Sequence, residues 1–215
     1  MNVRYPENID REWGIEPDAG RLLFALELRE SNPLECLNIF HELADRGSNL
    51  AKYYIGDSYA NGRDVHRDIE RGMQWYQNAS DSGSIEASHR LVFWLWHNGQ
   101  HQDAIEKLKY ISERGFSPAM FLLGSIYYSD YTDHSIEKNV DLALKYWKLA
   151  EARGHLIAKR RISVYLRGKD SGIIDKLKGY LKLLRFLPAF MFFSIKHPTS
   201  DRLRGWNYGA GLGLR

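Results

Sequence analysis

The sequence predicts an all-α protein, a right-handed α/α solenoid of about four helical hairpins with a basic amphipathic C-terminal segment. Three observations predict it: small and apolar residues recur every 32 to 39 residues, each recurrence closes on a glycine, and helical periodicity fills the intervals. The chain has 215 residues, of which 44% are hydrophobic and 27% charged, so its composition is that of a folded protein. The length accommodates one domain with an appendage.

Two sets of markers define the repeat. Four alanines are spaced by 36, 32 and 39 residues: Ala51, Ala87, Ala119 and Ala158. Four glycines have the same three spacings: Gly47, Gly83, Gly115 and Gly154. Because both sets drift together, we infer true repeats with insertions and deletions in their loops.

The clearest copy has the pattern of a helical hairpin. Ala51, Ile55 and Tyr59 are spaced by four, so they share one face of a first helix. A turn follows, and Asp68 is placed to cap the second helix. The buried stripe of that helix contains Gly72, Trp75, Tyr76 and Ala79, and Gly83 ends it in a left-handed conformation.

This copy resembles the Sel1-like repeat, a relative of the tetratricopeptide repeat. The family signature reads Ala, Leu-Gly, Tyr, Gly, Val, Asp, Ala, Trp-Tyr, Ala, Gly, and the copy departs from it only at Ile55 and Gly72. The resemblance extends over roughly residues 20–168. It implies a stack of helical pairs that holds another protein or peptide on a concave surface, as a non-enzymatic adaptor without a cofactor.

The repeats divide the chain into three parts. Residues 1–19 form an N-terminal lead-in, residues 20–168 the solenoid, and residues 169–215 a basic, apolar appendage. We place the repeats near 20–47, 48–83, 84–115 and 116–154, with a partial repeat at 155–185. A single pair of helices cannot bury both of its faces, so we expect neighbouring pairs to stack.

The first helices are expected to line the concave side. Residues beside their core stripe are therefore candidates for partner binding: Lys52, Tyr53, Asp57, Arg90, Trp94 and Met120. Tryptophan is enriched among residues that dominate binding energies, which favours Trp94 as an exposed anchor. The alternative is that Trp94 packs against the neighbouring repeat.

No constellation of residues predicts catalysis or metal binding. His97 and His101 have the spacing of a helical metal pair, but Asn98-Gly99 between them favours a turn. Cys36 lies in an apolar helical stripe, which predicts a buried, inert thiol. With one cysteine and no apolar run at the N-terminus, we expect a cytoplasmic protein, either free or at the inner face of a membrane.

The charge is distributed unevenly along the chain. The net charge is +3 in total, but −7 over residues 1–154 and +10 over residues 155–215. A basic segment of this kind favours a partner that carries phosphate, either anionic lipid or nucleic acid. The lysines alternate with apolar residues and no recognised nucleic-acid module is present, so we disfavour nucleic acid.

Two alternatives remain for the C-terminal segment. In one, residues 172–185 form the second helix of the last repeat, and residues 186–195 fold back as a cap over the end of the solenoid. Pro188 is expected to interrupt a longer helix that would include residues 179–195. In the other, the segment lies in a membrane interface, with its apolar face in lipid and its cations at acidic headgroups. The residues for the second alternative are Lys178, Lys182, Arg185, Phe186, Phe190, Phe192 and Phe193.

Overall fold

Ten α-helices and no strand make up the described part of the chain, which covers residues 12–63, 65–128, 136–168 and 172–196 of the computed structural model. The helices are, in chain order, α1 (Ala19–Leu28), α2 (Pro33–Asp45), α3 (Asn49–Asn61), α4 (Ile69–Asp81), α5 (Ile85–His97), α6 (His101–Glu113), α7 (Ser117–Tyr128), α8 (Val140–Ala152), α9 (Leu156–Leu166) and α10 (Ile173–Lys196).

The chain divides into two compact units between residues 107 and 108, within α6. In the first unit, each helix from α1 to α5 packs against the next one along the chain. In the second unit, α7 to α10 pack in the same sequential manner. Packing of consecutive helices is the architecture of a helical repeat, so the predicted all-α solenoid is confirmed as a fold class.

The ends of the helices follow the repeat. Asp68 accepts a hydrogen bond from the backbone N–H of Arg71 at 3.0 Å and thereby caps α4, as predicted. The glycines that close the repeats all adopt the left-handed conformation, with φ of 91°, 99°, 90° and 80° at Gly47, Gly83, Gly115 and Gly154. Residues with a Cβ rarely adopt this conformation, which explains why these positions mark the repeat.

Close approach within each hairpin also requires glycine. A Cβ at Gly72 of α4 would lie 2.7 Å from the nitrogen of Ala60 in α3. A Cβ at Gly56 of α3 would lie 2.7 Å from the Tyr76 ring, and one at Gly124 of α7 would collide with the Trp147 ring. The aromatic ring of the second helix therefore rests directly on the backbone of the first.

The repeat aromatics are buried to different degrees. Tyr76 and Trp147 are buried, as predicted for the core of the hairpin. Their neighbours Trp75 and Tyr146 are only partly buried. In the second unit, Trp147 packs in a cluster with Met120, Phe121, Ala150, Ile157, Ala158 and Ile162.

The lead-in segment, residues 12–18, contacts the N-termini of two first helices. Glu16 accepts a hydrogen bond from the Ser48 hydroxyl at 2.9 Å, next to the start of α3. Glu12 accepts from the Ser84 hydroxyl at 2.9 Å and from the backbone N–H of Ile85 at 3.1 Å, at the start of α5. Burial raises the pKa of Glu12 to about 7, although these hydrogen bonds act in the opposite direction.

The C-terminal helix corrects one expectation. α10 runs without a break from Ile173 to Lys196 and contains Pro188, so the prediction that this proline interrupts the helix is wrong. Proline removes one backbone donor and leaves the carbonyl of Leu184 without its helical partner.

The Gly72→Ala substitution tests the close approach of α3 and α4. We expect it to lower the free energy of unfolding by about 1–3 kcal/mol, because the added methyl group collides with Ala60. Gly20→Ala in α1 is the matched control, since its Cβ would meet nothing closer than 4.0 Å. The control should leave the stability unchanged or slightly raised, because alanine favours a helix more than glycine does. Urea unfolding followed by circular dichroism measures both, and equal effects would contradict the packing argument.

The Glu12→Gln substitution tests the raised pKa of the partly buried Glu12 carboxyl group. Because the pKa of Glu12 is raised from 4.5 to about 7, the folded state holds its proton where the unfolded state has lost it. The stability of the wild type should therefore fall relative to that of Glu12→Gln as the pH rises from 4.5 to 7, by up to about 3 kcal/mol. Urea unfolding of both proteins across this range measures the difference, and a difference that does not change with pH would refute the assignment.

Candidate partner-binding surface

Asp57 in α3 is the centre of a buried charge network. Its carboxylate lies 3.3 Å from the Arg29 guanidinium and 3.4 Å from that of Arg63, and it accepts a hydrogen bond from Asn61 at 2.7 Å. Asp57 is 5% exposed. A buried carboxylate is tolerated when it is paired and hydrogen-bonded in this manner, so Asp57 holds neighbouring chain segments together.

Arg29 connects this network to the aromatic core. Its guanidinium donates a hydrogen bond to the Ser58 hydroxyl at 3.1 Å. It also lies 5.8 Å from the ring centres of both Phe40 and Tyr54, which stack on each other at 5.5 Å. A guanidinium over aromatic rings keeps favourable contacts where water is excluded.

A second network fixes Arg90 on α5. Its guanidinium donates to the Tyr53 hydroxyl at 3.1 Å and lies 3.7 Å from the Glu86 carboxylate. Burial raises the pKa of Tyr53 to about 12, so this phenol stays neutral and serves as a hydrogen-bond acceptor. The Arg90 side chain is nevertheless 45% exposed, which leaves part of a positioned cation at the surface.

The six predicted partner-binding residues separate into two groups. Tyr53, Asp57 and Met120 are buried, so we correct the expectation that they lie open on the first helices. Lys52, Arg90 and Trp94 reach the surface, and Lys52 donates a hydrogen bond to the Ser82 hydroxyl at 2.9 Å. Whether any of the six contacts a partner stays a prediction.

Arg90 and Trp94 belong to a larger strip that sequence reasoning missed in part. Phe93 and His97 share the same face of α5, because all four residues follow the spacing i, i+3, i+4, i+7. Arg90 and His97 are exposed, and Phe93 and Trp94 are partly buried. This helical spacing in the sequence could have indicated that Phe93 and His97 lie on the same face as Arg90 and Trp94. We call these four residues the α5 patch.

Cys36 lies within α2, and His97 and His101 lie at the ends of two consecutive helices. Cys36 is buried, as expected. His97 ends α5 and His101 begins α6, on either side of the turn at Gly99, where φ is 74°. Among the residues that the structure describes, no group of three or more His, Cys, Asp and Glu side chains could hold a metal ion.

The C-terminal helix places its predicted membrane residues differently from our expectation. Phe186 is 3% exposed, and Phe190 packs against the cluster around Trp147, so both rings point towards the repeats. Lys182 forms an ion pair with Glu151 at 2.6 Å. Lys178 and Arg185 are exposed. The side chains of Phe192 and Phe193 lie outside the described residues.

No helix among the described residues is long and apolar enough to cross a membrane.

The helices that pack in sequence within each unit define an α-helical repeat protein. Comparison with known families agrees. The family model of the Sel1 repeat matches residues 49–84 and residues 117–155. The chain therefore contains Sel1 repeats in these two segments. Repeats of this kind generally mediate contacts between proteins.

Solved structures support the same fold. A Sel1 repeat protein from Oxalobacter formigenes is 21% identical, with a TM-score of 0.64, over 80% of this chain and 74% of that protein. A protective antigen of uropathogenic Escherichia coli with an SLR fold is 17% identical, with a TM-score of 0.60, over 75% of this chain and 36% of the antigen. At these identities the likeness shows the fold alone. No curated protein sequence matches the chain significantly.

The Asp57→Asn substitution tests the structural role of the buried network. We expect a loss of about 2–4 kcal/mol in the free energy of unfolding, because Arg29 and Arg63 lose their carboxylate. Glu42→Gln is the control, since its pair with Arg21 is exposed and should contribute less than about 1 kcal/mol. Urea unfolding compares the two, and a neutral Asp57→Asn would contradict the role assigned to this residue.

Proposed function

We propose that the protein is a non-enzymatic scaffold that binds another protein or peptide through the α5 patch. The observation that carries the proposal is the half-exposed Arg90 side chain, whose guanidinium Tyr53 and Glu86 hold in place on the same helix face as Trp94. A cation whose position is already fixed loses little conformational freedom on binding. Arginine and tryptophan are also the residue types that most often dominate the binding energy of an interface.

The patch has a defined chemistry. Arg90 suits a carboxylate of the partner, and the rings of Phe93 and Trp94 suit an apolar or aromatic side chain beside it. The preferred partner is therefore a segment with an acidic residue next to an apolar one. The Sel1-like fold supports a scaffold function because its repeats are typically non-catalytic.

A cytoplasmic location is part of this proposal. Cys36 is the only cysteine and is buried as a thiol, which suits a reducing compartment.

The Trp94→Ala and Arg90→Glu substitutions test the patch. Proteins captured from cell extract with the wild-type chain are compared with those captured by each variant, and a candidate is then purified and titrated by calorimetry. We expect each substitution to weaken binding about thirtyfold or more, because both residues are central to the patch. Circular dichroism checks that the variants remain folded.

A second cation–aromatic pair on the chain gives the matched control. The Arg114 guanidinium lies 4.5 Å from the ring centre of Tyr110 on α6, and Tyr110 is 41% exposed. Tyr110→Ala and Arg114→Glu should leave the affinity unchanged. If the patch variants bind as tightly as the wild type, or if the control pair weakens binding equally, the α5 patch is not the binding site.

A further inference from the structure

The outer face of α10 is apolar and exposed along most of its length. Eight side chains form this face, each between 48% and 87% exposed, and we call them the outward stripe: Ile173, Ile174, Leu177, Tyr180, Leu181, Leu184, Leu187 and Met191. They recur at the three- and four-residue spacing of one helix face. A contiguous exposed apolar face of this extent is typical of an interaction surface, so this stripe calls for an apolar partner.

The packing of α10 fixes which face points outward. Phe186 is buried, and Phe190 packs on the cluster around Trp147. Lys182 pairs with Glu151, and Gly179 lies so close to α9 that an added Cβ would be 2.8 Å from the Ser163 carbonyl oxygen. These contacts hold the helix from the side opposite the stripe, so the stripe is an exposed feature of the folded second unit.

The edges of the stripe carry positive charge. Lys178 and Arg185 are exposed and lie along one edge, and Lys176 lies along the other. Arg167 adds a further cation, with its guanidinium 5.3 Å from the ring centre of Tyr180. The one acidic residue of α10 is Asp175, which already contacts Lys178 at 3.3 Å.

This charge pattern selects among the surfaces that could cover the stripe. If two copies paired through their stripes, cationic edges would face each other in either relative orientation of the helices, and like charges would repel. An anionic bilayer instead complements both parts of this surface. Its apolar layer can cover the stripe, and its acidic headgroups can pair with the cations along the edges. The net charge of +10 over residues 155–215 strengthens the attraction.

We propose that the outward stripe of α10 binds an anionic membrane surface, with the helix parallel to the bilayer. At 24 residues, α10 is about 36 Å long and would insert one face to the depth of its side chains. The inserted residues are those of the stripe, whereas Phe186 and Phe190 stay packed against the repeats. The stripe shares no residue with the α5 patch. Binding through the stripe would therefore place the proposed scaffold at a membrane surface.

Vesicle co-sedimentation of the full chain tests the proposal. The vesicles contain phosphatidylcholine alone or phosphatidylcholine mixed with phosphatidylglycerol. We expect binding to the anionic vesicles only, and weaker binding in high salt because salt screens the headgroups. A folded wild-type chain that ignores anionic vesicles would overturn the proposal.

Substitutions on the surface of α10 locate the contact. The double variant Leu177→Glu/Leu184→Glu should reduce partitioning about tenfold or more, because two carboxylates would enter the lipid. Lys178→Glu/Arg185→Glu should reduce it by a similar factor through the lost attraction to headgroups. The control is Leu34→Glu on α2, where the leucine is as exposed as Leu184, and it should bind like the wild type.

Two outcomes would reject the stripe as a membrane site. If the variants of α10 and the control all bind alike, another part of the chain makes the contact. If the wild type instead forms a dimer in sedimentation velocity that Leu177→Glu/Leu184→Glu abolishes, with no binding to vesicles, a second copy covers the stripe. Binding of the α5 partner is measured separately and does not enter either outcome.

Discussion

The contact between a glycine on the first helix and an aromatic ring on the second is the constraint on which each well-formed hairpin depends. Gly56 meets Tyr76 in one unit, and Gly124 meets Trp147 in the other. A methyl group at either glycine would occupy space that the ring already fills. The helices can therefore approach closely, and the ring that joins them is almost completely buried.

This close packing decides which residues remain for binding. α3 is enclosed on nearly every side, and two of its polar side chains, Asp57 and Tyr53, form contacts within the fold. They in turn anchor arginines from other segments, of which Arg63 and Arg90 keep 59% and 45% of their side chains exposed. In the first unit, α5 therefore leaves more of its surface exposed than α3 does. In the second unit, the outer face of α10 is exposed.

The repeat itself could be predicted from the sequence, because its signals are local. Left-handed glycines such as Gly83 and caps such as Asp68 depend on only a few neighbouring residues. The burial of Asp57 could not be predicted, since it depends on Arg29, which lies 28 positions earlier in the chain. The sequence also did not show which face of α10 packs inward, because both of its faces carry apolar residues. Gly179 and the phenylalanine face pack inward, and the leucine face remains outside.

A double-mutant cycle on Gly56 and Tyr76 tests the central constraint most directly. Gly56→Ala should be destabilising because of the ring 2.7 Å from its Cβ, and Tyr76→Leu should be destabilising through lost packing. If the ring and the glycine set the spacing of the hairpin together, the double variant is more stable than the sum of the single effects predicts, by about 1 kcal/mol or more. Strictly additive losses in urea unfolding would contradict the account.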